Sequence, residues 1–105
     1  MKVLYATDAV HNFLQKLEQT ERFRARRLLS VLEARGYAIR MPHSKPLGEG
    51  IFELRLTGTH AVRILYCYYG GCAYVLHALV KKQGTIPRSD LKYAQMVYAR
   101  VLAQP

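Results

Sequence analysis

Residues 51–80 read IFELRLTGTHAVRILYCYYGGCAYVLHALV, and they carry the clearest strand pattern of the chain. The segments from Ile51 to Leu56 and from Val62 to Tyr69 both alternate between apolar and other side chains, which is the pattern of half-buried antiparallel strands. Gly70-Gly71 predicts a two-residue hairpin turn. The almost continuous apolar run from Ala73 to Val80 is typical of a central strand that is covered on both faces. Three consecutive strands are therefore expected.

The segment before these strands carries the signals of one strand and two helices. Lys2 to Tyr5 predicts a short first strand, and either Thr7 or Asp8 is suited to cap the helix that follows it. Gln19-Thr20 predicts a break, after which a second helix is expected from about Glu21 to Arg35. The two helices should form a hairpin that packs on the sheet.

Prolines and glycines mark the remaining boundaries. Their density from Met41 to Gly50 predicts a loop that leads into the sheet, and Pro87 and Ser89 precede a last helix from Asp90 to about Ala103. The expected order is β-α-α-β-β-β-α, an α+β fold with a small, mainly antiparallel sheet packed against helices. With 105 residues, the chain is expected to form one domain over residues 1–105.

The charge balance points to a polyanionic partner. Sixteen Lys and Arg residues against seven Asp and Glu residues give a formal net charge of +9. Such an excess suits RNA, DNA, a ribosome, an acidic protein or an anionic membrane. The sequence has no apolar run long enough to span a membrane and no signal-peptide core, so we expect a cytoplasmic protein.

Several enzyme classes are disfavoured by what the sequence lacks. No His, Cys, Asp or Glu residues repeat at metal-ligand spacing, no glycine-rich loop opens a helix after a strand, and no Ser-His-Asp context is present. We therefore expect no metal and no cofactor. Cys67 and Cys72 should lie diagonally on adjacent strands, too far apart for an unstrained disulfide, and are expected to be reduced and buried.

The strand pattern predicts that two arginines face each other. If the apolar faces of the first two strands of this stretch are to coincide, Leu54 must pair with Ile64 and Leu56 with Val62. Arg55 then lies directly opposite Arg63, an arrangement that costs stability unless the charges are neutralised. A bound phosphate would neutralise them. In the alternative interpretation, Glu53 and solvent screen an ordinary solvated sheet face.

Other basic residues extend this set. Continuing the same parity across the glycine turn places Lys82 on the face of Arg55 and Arg63, and Lys81 ends the same strand. His60, in the loop between the two arginines, is a candidate proton carrier. The second helix carries a basic run, and we expect three of its residues to contact RNA together with Lys81: Arg22, Arg26 and Arg27.

Three segments resemble the RelE/HigB-like toxins of type II toxin-antitoxin systems, particularly the phage-derived HigB-like branch of this RelE/ParE superfamily. They are Leu47-Gly48-Glu49-Gly50-Ile51-Phe52-Glu53-Leu54-Arg55, Arg63-Ile64-Leu65-Tyr66 and Val80-Lys81-Lys82. The resemblance covers most of the chain.

The resemblance implies an activity and a partner. Members of this family are typically metal-independent, ribosome-dependent messenger RNA endonucleases, so it implies that Arg55, Arg63 and Lys82 occupy basic active-site positions. It also implies mRNA on the ribosome as substrate and a cognate antitoxin, a helix-turn-helix DNA-binding protein, as partner. The sequence departs from the family pattern after Lys82, where it reads Gln83-Gly84-Thr85-Ile86-Pro87. Tyr93 is a possible stand-in for a tyrosine or histidine that some relatives use near the carboxyl end.

Three alternatives remain open. A ParE-like toxin would inhibit gyrase, although that branch generally lacks the full basic set. A non-catalytic RNA-binding module would stack bases on tyrosines of the sheet, but Tyr66 and Tyr68 fall on the predicted core face. A DNA-binding repressor is disfavoured because the only predicted helix pair has apolar stripes suited to packing on the sheet.

Overall fold

The computed structural model describes residues 1–56, 61–81 and 84–105. Within these ranges a five-stranded sheet packs against three helices and one short 3-10 turn, Gly36–Ala38. The elements in chain order are β1 (Lys2–Tyr5), α1 (Asp8–Gln15), α2 (Gln19–Arg35), β2 (Ser44–Gly48), β3 (Ile51–Arg55), β4 (Ala61–Tyr69), β5 (Cys72–Lys81) and α3 (Arg88–Leu102).

The strand order across the sheet is β1-β5-β4-β3-β2. Only β1 runs parallel to its neighbour β5, and the other pairs are antiparallel. The expected α+β fold with a mainly antiparallel sheet is confirmed. Gly70 and Gly71 form the predicted tight turn with φ angles of 59° and 77°, and Tyr69 pairs with Cys72 across it.

One predicted loop is wrong, because Ser44–Gly48 forms strand β2 along β3. Pro46 argued against a strand because it has no backbone N–H to donate. The sheet tolerates this residue because β2 is the edge strand, with a partner on one side only. The strand is also anchored by the Ser44 hydroxyl, which lies 2.6 Å from the hydroxyl of the buried Tyr66 on β4.

The predicted break between the first two helices is displaced. Thr7 caps α1 as expected, since its hydroxyl accepts a hydrogen bond from the Val10 amide at 3.2 Å. Gln19 and Thr20, however, already belong to α2. The chain turns just before them, where Glu18 is extended and its carbonyl accepts the first helical bond from the Arg22 amide at 2.8 Å.

Both faces of the sheet are covered, so β3 and β4 are not half-buried strands. On one face α1 and α2 pack over a core that includes Leu32, Leu54 and Ile64. On the other face α3 covers Leu65 and Cys67, which are fully buried. The alternation of β4 predicted one solvated face, but α3 supplies a second apolar surface that the strand pattern does not reveal. The central position predicted for β5 is confirmed.

Candidate functional site

Arg55 lies directly opposite Arg63 on the adjacent strand. The register that predicted this pairing is confirmed, since Leu54 pairs with Ile64 and the Leu56 amide donates to the Val62 carbonyl at 3.1 Å. The two guanidinium groups therefore share one face of the sheet near its end. This face, opposite the one covered by α1 and α2, is called the cationic sheet face below.

The Glu53 carboxylate lies between the two arginines. Its Oε1 is 3.6 Å from Arg55 Nε, and its Oε2 is 3.9 Å from Arg63 Nε. Glu53 is only 3% exposed, so the carboxylate balances one positive charge where water has little access. The sequence left open whether a bound phosphate or Glu53 neutralises the arginines, and the structure shows Glu53 in this position. One net positive charge remains in this group of three residues.

Arg63 is buried and hydrogen-bonded within the protein. It is 7% exposed, and its Nη1 donates to the carbonyl oxygens of Leu56 at 3.3 Å and Val62 at 3.2 Å. Burial lowers the pKa of its guanidinium, Glu53 raises that pKa, and Arg55 lowers it again. An arginine nevertheless stays protonated in proteins. The Arg63 Nε and Glu53 Oε2 are both buried without a hydrogen-bond partner, so the pair is closely placed but not fully bonded.

Arg55 is the accessible member of the pair. Its side chain is 31% exposed, against 9% for Arg63. Its backbone is fixed, because its amide donates to the His43 carbonyl at 3.1 Å. A polyanion that approaches the cationic sheet face therefore meets Arg55 before Arg63.

A β-bulge places Lys81 on the same face of the sheet as the two arginines. The register between β4 and β5 shifts at Leu65 and Tyr66, which leaves Leu76 as the extra residue of β5. Beyond the bulge, Arg63 pairs with Leu79 and Ala61 pairs with Lys81. Because residues directly opposite share a face, Lys81 lies on the cationic sheet face. The parity argument for Lys82 assumed an unbroken ladder, which the bulge interrupts, but Lys82 itself lies outside the described residues and its position stays a prediction.

Lys45 is a site residue that sequence reasoning missed. It is exposed on β2 and pairs directly with Glu53, so it lies on the cationic sheet face as well. With Glu53 and Lys81 it lines a cleft of about 330 Å³, which also includes residues of the segment before α3 and of α3 itself. Lys45 precedes Pro46, which predicted a loop, and a residue in a loop cannot be assigned to a face of the sheet. His60 falls outside the described residues.

The basic run of α2 is divided between two sides of the helix. Arg27 lines a cleft of about 360 Å³ together with Arg24, His43 and Arg55. Arg22 and Arg26 instead line a shallow depression on the side of α1 and β1. Arg22 also donates from Nη1 to the Gln15 carbonyl at 3.2 Å. Of the three predicted α2 contacts, only Arg27 is therefore brought close to the arginine pair.

His77 on β5 makes a side-chain contact with α3. It is half-buried, and its Nε2 lies 2.7 Å from Asp90 Oδ1 in the first turn of α3. The ring of Tyr93 packs edge-on against it, with centroids 4.8 Å apart. The bulge at Leu76 places His77 on the face covered by α3. Tyr93 is thus engaged with this His-Asp pair.

Tyr66 and Tyr68 lie on the core face, as the strand pattern predicts. Tyr66 is fully buried, and Tyr68 packs partly against the core while its hydroxyl donates to the Gly36 carbonyl at 3.0 Å. Neither offers an open platform for a base. Cys67 and Cys72 are free thiols, and only Cys67 is buried. Among the residues that the structure describes, no three His, Cys, Asp or Glu side chains are grouped to hold a metal ion, and no helix has the length and apolarity to cross a membrane.

The fold and the site together define a small basic α+β protein whose sheet carries four basic residues on one face. Comparison with family models identifies the family. Residues 12–99 match the model described as phage-derived protein Gp49-like (DUF891), and the chain belongs to that family. This is a RelE/HigB-like toxin family. No curated protein that was compared with the chain matches it.

Proposed function

We propose that the chain is the toxin of a type II toxin-antitoxin system and cleaves mRNA on the ribosome without a metal ion. Residues 1–105 form the toxin domain. The observation that supports this most is the arginine pair on the cationic sheet face, where Glu53 holds Arg55 and Arg63 in place and leaves one positive charge unbalanced. Membership of a RelE/HigB-like toxin family supports the same function.

The proposed reaction is an internal transesterification of the RNA backbone. The ribose 2′-oxygen forms a bond to the adjacent phosphorus, the bond from phosphorus to the 5′-oxygen breaks, and the products are a 2′,3′-cyclic phosphate and a 5′-hydroxyl. A base removes the 2′-hydroxyl proton and an acid protonates the leaving oxygen. The transition state carries extra negative charge on the non-bridging oxygens, which fixed cations stabilise.

The accessible and buried arginines suit different parts of this reaction. Arg55 is exposed enough to contact a phosphate and position it. Arg63 lies deeper and acts through its charge on the developing phosphorane, because burial weakens screening by water. Lys81 and Lys45 hold the neighbouring backbone. We assign proton transfer to Lys82 and His60.

The proposed partner is a cognate antitoxin that binds DNA through a helix-turn-helix. A nuclease of this kind would harm its own cell if unrestrained. The cationic sheet face offers an acidic segment of such a partner three basic residues with accessible surface, Lys45, Arg55 and Lys81. Occupation of that face would also block access of RNA.

The test is controlled expression followed by growth measurement and primer extension on cellular mRNA. The variants are Arg55→Ala and Arg63→Lys, and the matched control is Arg100→Ala, an exposed arginine near the end of α3. Growth arrest with discrete new mRNA ends is expected for the wild type and the control, and not for the site variants. Arrest without new ends would support a gyrase inhibitor instead. New ends that persist in both site variants would overturn the assignment of the arginines.

A further inference from the structure

We infer that the cleft between α2 and the end of β3 is a second RNA-binding site, which holds the substrate strand beside the cleavage site. We call it the α2 cleft, and it is lined by Arg24, Arg27, His43 and Arg55 with apolar residues that include Leu28 and Val31. The choice of RNA as the ligand rests on the proposed function.

The lining of the α2 cleft suits a nucleotide. Arg24 and Arg27 are exposed, and guanidinium groups bind phosphate oxygens in a bidentate manner. Leu28 and Val31 are half-buried and supply an apolar surface beside these cations. A phosphate with a base or sugar attached presents the same combination of a charged and a flat, weakly polar part. The volume of about 360 Å³ accommodates a group of that size.

Helix geometry explains why these side chains act together. Positions 24, 27, 28 and 31 follow the spacing of one helix stripe, so their side chains lie on the same side of α2. Arg22 and Arg26 lie on another side, toward Tyr5 and Leu14. The basic run of α2 therefore contains two arginines that line the α2 cleft and two that do not, which provides an internal control of equal charge.

Arg55 joins the α2 cleft to the cationic sheet face. It lines the cleft, and its Nε is also 3.6 Å from the carboxylate of Glu53 on the cationic sheet face. Its amide is bonded to the carbonyl of His43, another residue of the cleft. One single strand that passes over Arg55 would thus contact both sites. This continuity favours a polynucleotide over an acidic peptide confined to one site.

The test measures binding of an uncleavable RNA to the full-length protein. A fluorescent single strand of about 12 nucleotides, methylated on every 2′-oxygen, is titrated over a series of salt concentrations. Arg24→Ala/Arg27→Ala is compared with Arg22→Ala/Arg26→Ala, which removes the same charge from the other side of the same helix. Thermal unfolding of both variants establishes that they fold.

Loss of two phosphate contacts from a single strand should reduce the slope of log affinity against log salt by about 1.4 for the α2 cleft variant. The control variant should keep the wild-type slope. Equal slopes for the two variants would overturn the inference. A larger reduction of the slope in the control variant would overturn it as well. Because the probe cannot be cleaved, this binding test is independent of the nuclease activity. A reduced slope for the α2 cleft variant, with no mRNA cleavage in cells, would support the α2 cleft and contradict the nuclease. Cleavage in cells, with equal slopes for the two variants, would support the nuclease and contradict the α2 cleft.

Discussion

Arg55 faces Arg63 across two neighbouring strands, and both lie within 4 Å of the single carboxylate of Glu53. Two like charges placed directly opposite each other destabilise a sheet. The carboxylate removes this penalty for one of them and leaves the second positive charge available. The site is therefore arranged to attract an anion while remaining stable without one.

Removal of the Glu53 charge should destabilise the protein. In Glu53→Gln the two arginines lose their counter-charge where Arg63 is buried, and breaking a buried ion pair costs about 3 kcal/mol. The free energy of unfolding, measured with urea, should fall by roughly this amount. The control is Glu49→Gln, whose side chain is exposed and accepts one hydrogen bond from Gln95, and which should cost about 0.5 kcal/mol. Similar losses in the two variants would contradict the role of Glu53.

The hydrogen bond between Ser44 and Tyr66 should stabilise the edge strand. The two hydroxyls are 2.6 Å apart and buried. Tyr66→Phe and Ser44→Ala should each lower the free energy of unfolding by about 1 kcal/mol, because each leaves the other hydroxyl unsatisfied. The double variant should cost less than the sum of the two, which a double-mutant cycle measures. Additive losses would show that the two hydroxyls are not coupled.

The buried thiol of Cys67 should make the protein less stable in alkali. Burial raises its pKa from an ordinary 9.0 to about 11. Between these values the unfolded chain has lost the proton that the folded chain retains, so the stability present below pH 9 decreases as the pH rises toward 11. The loss amounts to about 2 to 3 kcal/mol. Burial also raises the pKa of Tyr68, which acts in the same direction.

The comparison that isolates Cys67 is urea unfolding of the wild type and Cys67→Ala across this pH range. The variant should be less stable than the wild type near neutral pH because it leaves a small cavity. Its stability should then decline less steeply between pH 9 and 11. Parallel pH profiles would show that the thiol does not titrate as described.

Gly50 in the turn between β2 and β3 should not tolerate a side chain. Its φ is +84°, and a Cβ would lie 2.7 Å from the Tyr98 hydroxyl oxygen. Gly48 also has a positive φ, of +96°, but a Cβ on this residue would meet no atom within 4 Å. Gly48→Ala should therefore cost roughly 1 to 2 kcal/mol from backbone strain alone, and Gly50→Ala should cost more. Thermal unfolding of both variants measures the difference, and equal losses would contradict the contact with Tyr98.

The arginine pair could be predicted from the sequence because strand parity is a strict constraint. The side chains of a strand alternate between two faces, so the apolar faces of β3 and β4 can coincide in only one parity. Leu54 opposite Ile64 then places Arg55 opposite Arg63, as the structure has it. The hairpin at Gly70-Gly71 was predictable for a similar reason, since two adjacent glycines with positive φ suit a tight turn.

Other parts of the site depend on features with no clear local signal. The bulge at Leu76 reverses the parity of the end of β5, which brings Lys81 to the cationic sheet face, a position that an unbroken ladder would not give it. Pro46 concealed strand β2 and with it Lys45, because a proline is compatible with a strand only at an edge. The second core depends on α3 packing over Leu65, which strand periodicity does not indicate.

The most direct measurement of the central claim uses purified protein, ribosomes programmed with an end-labelled mRNA, and analysis of the cleaved ends. Discrete cleavage is expected for the wild type and for Arg100→Ala, with a 2′,3′-cyclic phosphate on the upstream fragment and a 5′-hydroxyl on the downstream one. Arg55→Ala and Arg63→Lys should lose this cleavage while remaining folded. Absence of cleavage by the wild type would contradict the proposed nuclease activity, and undiminished cleavage by both site variants would contradict the role of the arginine pair.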